Sequence, residues 1–426
     1  MKESVGFLRR FDHFLSLEEI LMSTRDKRLA LNRWLLLGAR SLNFTIAAGI
    51  PTLTLLWADR GLSQSDFYLL EIAFAVILFA LEIATGRFSD YFGRVLTLKL
   101  GFCAHIVGTL TYAFAQSFTG YLVGEAFFAL GIALHSGTDE AFLFQSIKAR
   151  KGGDAGNDQK AEHQQWWTVM IGCGFVVMGF SSLIGTWAST RDLAYPYVFA
   201  GVCQLVALFL CFLMVEPPQE AHGQLGATGS LREAITSVVF ASGAVRWMMI
   251  VPGFILSVNQ TFLWTYTDIL RECTLSTMQS GYVFAFFNFV AGVTSLLVRK
   301  VTDDGAGTRI VFALLIGLMA STVGLLTTAG ALVWLVLIPQ QMVRSLSGSL
   351  FSQTINDAIP DRVRATALSV RNGFRVVLYV AVMMPWWLGI EGLGRQGMFG
   401  VNLAVLCLGG VVLWITHQRV RIAEGF

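Results

Sequence analysis

The sequence predicts an all-α membrane protein, with twelve transmembrane helices in two pseudo-symmetric six-helix halves and both termini in the cytoplasm. Three observations carry that expectation. The 426 residues are 54% hydrophobic and only 14% charged, where a soluble chain would carry about a quarter charged residues. Apolar runs of about 20 residues, the length that crosses a bilayer as a helix, recur from end to end. The one long polar interruption, "EPPQEAHGQLGATGSLREAITS", falls at mid-chain.

Taken in order, residues 1–30 are too charged for the core of a signal peptide. Val5, Phe7, Leu8, Phe11, Phe14 and Leu15 recur at helical spacing, and Ser16 with Glu19 has the form of a capping box. A cytoplasmic amphipathic segment on the inner membrane surface is expected there. The N-terminal half, 31–215, holds spans at about 31–57, 66–86, 95–115, 119–142, 165–187 and 194–215. Residues 216–245 form a cytoplasmic central loop. The C-terminal half, 246–418, holds spans at about 246–268, 278–299, 309–329, 331–355, 366–389 and 397–417, and 419–426 is a cytoplasmic tail.

Lysine and arginine set the orientation. They crowd the N-terminus, the segment around Arg87, Arg94 and Lys99, the stretch Lys148 to Lys160, and the connections at Arg299, Arg362 and Arg419. The opposite ends carry only Arg60, Arg191, Arg271 and Arg395. By the positive-inside rule the crowded side is cytoplasmic. A shift of 213 residues, half of 426, lays Leu62 on Leu275, Ser63 on Ser276 and Asp90 on Asp303, which suggests an internal duplication.

Between spans two and three stands "GRFSDYFGR", two glycines, two arginines and an aspartate wedged between long apolar runs. Glycine suits a tight turn where helices approach closely, and Asp90 lies where it reaches free backbone N–H groups or Arg94. The pattern G-x-x-x-D-x-x-G-R, filled by Gly86, Asp90, Gly93 and Arg94, resembles the signature loop of the major facilitator superfamily. Asp303 belongs to the degenerate second copy that this superfamily also shows. The stretches "LEIATGRFSDYFGR", "HSGTDEAFLF" and "PDRVRATALS" further resemble bacterial members that export drugs or metabolites. The resemblance implies a gate in which this loop latches onto the start of span eleven, here Pro360 to Ser369.

Ionisable groups inside a span are functional candidates by default. The resemblance places spans one, four, seven and ten around a cavity, which nominates Arg40, Asn43, Asn259, Gln341, Arg344 and, from span eleven, Arg375 for the substrate. Glu125, Asp139 and Glu140 are the candidates for proton coupling, because a carboxyl group binds or releases a proton as its solvation changes. Arg40 and Arg375 are the expected partners of Glu125. The packing alternative pairs Arg40 with Glu82 or Asp139, and Glu71 is expected to reach water near the outer end. Trp34, Trp57, Trp187 and Trp414 read as interfacial anchors. His105 and His135 lack a second ligand at metal spacing and suit packing or a proton relay. Two features depart from the superfamily's drug–proton exchangers: Phe127 stands where span four often carries arginine, and the glycine-rich fifth span has no proline.

Several classes are excluded. A net charge of +3 does not suit nucleic acid. The six cysteines are scattered without a C-x-x-C pair, so neither disulfides nor zinc is expected. No G-x-x-x-x-G-K-[ST] sequence is present for ATP, and no nucleophile–base set stands at credible spacing for an enzyme. The expectation is a secondary transporter without cofactor, a monomer in the cytoplasmic membrane, whose partners are protons, lipid and a small-molecule substrate. It works by alternating access and exports a drug or metabolite; uptake with protons, or ligand sensing on a transporter scaffold, are the alternatives.

Overall fold

The computed structural model describes residues 24–85, 88–150, 157–218, 243–298, 306–328, 330, 332–346 and 361–424. Helix α1, Thr24–Asn43, starts seven residues ahead of the expected span. It loosens into 3-10 turns at Phe44–Ala48 and Ile50–Thr52, where Pro51 cannot continue an α-helix, and resumes as α2, Leu53–Asp59. α3 covers Gln64–Thr85, and the short α4, Phe88–Phe92, leads into α5, Arg94–Phe114. α6, Phe118–His135, is split from α7, Thr138–Arg150, at Gly137, whose φ of 73° only glycine adopts without strain. α8, Asn157–Ser189, begins eight residues earlier than expected, and α9 is Tyr195–Leu213.

After the central loop come α10, Gly243–Leu263, the short α11, Tyr266–Glu272, and α12, Thr277–Val298. α13 covers Ala306–Thr327. A 3-10 turn at Val333–Leu337 opens α14, Ile338–Leu346. α15, Asp361–Glu424, is two helices end to end, since Gly394 is non-helical at φ 63° and ψ 177°. Among the described residues, eight helical stretches are long and apolar enough to cross a membrane. Phe209, Phe212, Leu388 and Leu408 lie exposed on them, as lipid-facing side chains do.

The bundle has two ends, one at the Gly93 turn and the other at the Gly394 turn. The helices before the central loop form a first set, and those after it a second. α8 packs on α12 and α3 on the first limb of α15 across the divide. Small residues permit the approach: Gly281 stands under Thr186, and Gly179 faces Ala285. The main apolar core crosses the divide too, from Trp57 and Tyr121 through Phe262 and Tyr266 to Trp386 and Phe399. Trp57 is therefore a core residue at 1% exposure, not an interfacial anchor; it packs against Phe67, Tyr112 and Tyr121. Trp34, Trp187 and Trp414 are exposed, as anchors are.

Candidate functional site

Among the described residues, three of the polar clusters hold the candidate residues. The first joins the two sets. Glu71 sits two turns into α3, and Glu125 two turns into α6, whose first turn is capped by the Ser117 hydroxyl. Each residue is 5% exposed, and the helices that carry them pack against each other. Tyr112 of α5 donates to Glu125. Tyr379, on the first limb of α15, donates to Glu71 Oε2 at 3.1 Å and accepts from Trp264 Nε1 at 3.3 Å. Two expectations are corrected here. Glu71 does not reach water, because the second set covers it. The hydrogen-bond partner of Glu125 is a tyrosine rather than Arg40, whose guanidinium is held by Asp139.

The second cluster lies toward the Gly93 end of the first set. Arg40, in the last turn of α1, bonds Asp139 Oδ2. It lies over the Trp167 ring at 4.3 Å and the Phe44 ring at 5.7 Å. Asp139, in the first turn of α7, is buried, and its Oδ1 takes His135 Nδ1 at 3.1 Å. Glu140, the next residue, is exposed. Asn43 also turns aside: its Oδ1 accepts from Gln204 Nε2 of α9 at 3.4 Å.

The third cluster belongs to the second set. Arg344 of α14 donates to Asn288 Oδ1 of α12 at 2.6 Å and lies 5.8 Å from the Phe175 ring of α8. Gln341 Nε2 donates to the Tyr266 hydroxyl at 2.8 Å, which donates to Gln340 Oε1 at 2.8 Å. Asn259 Oδ1 and Gln341 Oε1 are buried without a hydrogen-bond partner among the described residues. Arg375, half-buried on α15, passes close to Gly253 of α10.

At the Gly93 end, Gly86 and Asp303 lie outside the described residues, as do the side chains of Asp90 and of Asp361 to Ser369. Gly93 has φ 91°, which explains its identity, and the Arg94 guanidinium bonds Gln145. The first N–H groups of α5 do not wait for Asp90. Glu216 caps them, with its carboxylate oxygens 2.8 Å from the nitrogens of Arg94 and Val95. Asn32 of α1 holds the neighbouring Val215 at both its N–H, 3.0 Å, and its carbonyl, 2.8 Å. Sequence reasoning missed Glu216, because nothing local marks an acid 122 residues away as the cap of Arg94.

Long apolar helices in two interlocked sets, with charged side chains buried among them, define a polytopic helical membrane protein. Solved structures share this fold. The nucleoside transporter NupG superposes with a TM-score of 0.71 at 8% identity, covering 92% of this chain and 100% of that one. A D-xylose-proton symporter gives 0.68 at 13% identity, covering 89% and 95%. A sequence profile of the Major Facilitator Superfamily matches residues 33–383. The chain belongs to that superfamily. Among curated relatives it is similar to the quinolone resistance protein NorA of Staphylococcus aureus (strain MRSA252), 22% identical over 51% of this chain and 54% of that protein. The match thus spans about half the length of that relative.

Proposed function

We propose that the chain is a proton-coupled secondary transporter that exports a drug or metabolite across the cytoplasmic membrane by alternating access. Two six-helix halves, divided within residues 216–245, rock about the polar clusters, and the Gly93 end faces the cytoplasm. The similarity to a quinolone resistance protein supports export. One observation carries the coupling: Glu71, on the helix packed against that of Glu125 in the first set, is held by Tyr379 of the second. When the sets part at that contact, Glu71 loses its donor and gains water. The proton affinity of the acid pair then differs between conformations, which is what coupling requires.

The test uses proteoliposomes and a fluorescent quinolone as probe. Glu125→Gln should keep exchange of the probe across the bilayer but lose accumulation driven by a pH gradient. Gradient-driven accumulation equal to wild type would remove Glu125 from the coupling.

A further inference from the structure

Two glycine–histidine repeats meet face to face in the first set. α5 carries Gly101 and His105, and α6 carries Gly131 and His135, four residues apart in each case and so on one helix face. The helices run antiparallel, and each histidine fills the space that the opposite glycine leaves. A Cβ on Gly101 would stand 2.7 Å from His135 Nε2, and one on Gly131 would meet His105 more closely still. The two imidazoles stack with planes 9° apart and centroids 5.2 Å apart. Phe102 stands edge-on to His135 at 4.5 Å, and Phe128 lies 6.2 Å from His105. The position is built and poor in water: His105 is 4% exposed. His135 Nε2 and His105 Nδ1 are buried without a hydrogen-bond partner among the described residues.

We propose that the stacked His105–His135 pair is a proton-binding site, and that a proton there draws Asp139 from Arg40 to His135, leaving Arg40 to hold an anionic group of the substrate, such as a carboxylate. Asp139 already divides its two oxygens between these partners. With His135 Nδ1–H donating to Asp139, the lone pair on Nε2 is open. A proton on Nε2 makes an imidazolium, which satisfies Asp139 and weakens its hold on Arg40. The stack takes one proton, because two adjacent cations repel. Arg40 keeps its seat over Trp167 and Phe44 when Asp139 lets go. Among the described residues, the titratable groups on the helices packed about the pair include Lys99 on α5, Cys211 on α9, Glu140 on α7, His163 on α8 and Glu82, one turn before Thr85 of α3. Thr85 itself bonds the Ala133 carbonyl of α6 at 3.4 Å. By reciprocity, an anion at Arg40 tightens proton binding at His135 as much as the proton tightens the anion. Proton and anion therefore bind this network cooperatively. This rests on the transporter reading above.

The full-length protein in lipid nanodiscs, labelled with 15N-histidine, is titrated by NMR between about pH 5 and pH 8, where imidazole changes charge. Single His→Gln substitutions assign the signals. The His135 signal should titrate. Arg40→Gln should raise its midpoint by about one pH unit, a tenfold gain in proton affinity, and Asp139→Asn should lower it as far. Arg40→Lys keeps the charge and should leave the midpoint near wild type, which separates charge from misfolding. Benzoate, the anion probe, should raise the midpoint in wild type and not in Arg40→Gln. A His135 that never titrates, a midpoint unmoved by both Arg40→Gln and Asp139→Asn, or one that benzoate leaves in place overturns the proposal. The readout needs neither gradient nor natural substrate. Its failure beside intact gradient-driven transport sinks this site alone and leaves the transporter reading standing.

Discussion

At the scale of the residue, charge inside the bundle is organised by few partners. Arg40 and Asp139 form an ion pair with side chains 21% and 10% exposed. Removing Arg40 leaves the buried Asp139 with His135 as its described partner, which costs about 2 kcal/mol, whereas removing both members costs less. Arg40→Ala should therefore destabilise the protein by about that amount in a detergent unfolding titration, and Arg40→Ala/Asp139→Ala should recover part of it. A double variant no better than the single one would show that the pair is not coupled. The sequence already held Arg40, Asp139 and Glu125 as buried charges, because an ionisable residue in an apolar run stands out. It also offered Asp139 as a partner for Arg40. It did not show that Glu71 is covered, since cover comes from Tyr379, 308 residues away. The histidine pair was legible in principle: "GFCAH" and "GIALH" repeat one spacing in adjacent spans, but the facing register of the two helices appears only in three dimensions.

At the scale of the element, glycine decides which helices touch. A Cβ on Gly185 of α8 would collide with the Ala48 carbonyl oxygen in the 3-10 segment after α1, and one on Gly281 of α12 would collide with Thr186 of α8. Backbone cannot yield as a flexible side chain does. Gly185→Ala should lower stability by about 1–3 kcal/mol, the usual cost of overpacking, read as a fall in apparent Tm. An unchanged Tm would mean that this approach is looser than described. Glu216 makes a second element-scale prediction. Glu216→Ala leaves two N–H groups at the start of α5 without their acceptor and should cost about 1 kcal/mol, as lost caps do. Glu216→Gln should cost less; equal stability of all three proteins would remove the cap from the account. The eight described stretches able to cross a membrane lie where apolar length alone marks spans. The breaks inside spans one, four and ten were not legible, since the deciding features, Pro51, Gly137 and the 3-10 turn before α14, sit inside apolar runs that hydropathy reads as continuous.

At the scale of the whole molecule, the hydrogen bonds described between the sets gather toward the Gly394 end. Ser65 of α3 donates its hydroxyl to the Trp387 carbonyl at 3.2 Å and its N–H to Glu391 Oε1 at 3.3 Å. Thr267 of α11 donates to the Pro51 carbonyl at 3.1 Å. Within the second set, Arg395 ties the Gly394 turn to Asp268 at 3.6 Å and to Glu272. Such contacts join the sets at that end, and the proposed alternating-access cycle requires that they break. In the proposed mechanism, protonation of Glu71 and Glu125 biases this opening. The most direct test measures electron–electron distances between spin labels at the exposed positions Thr190 and Thr328, one in each set at the Gly394 end, after replacement of the six native cysteines. Two distance populations are expected, with a ratio that changes with pH in the wild-type background and stays fixed in Glu71→Gln/Glu125→Gln. A single distance that ignores pH, or a pH response unchanged in the double variant, would contradict this mechanism.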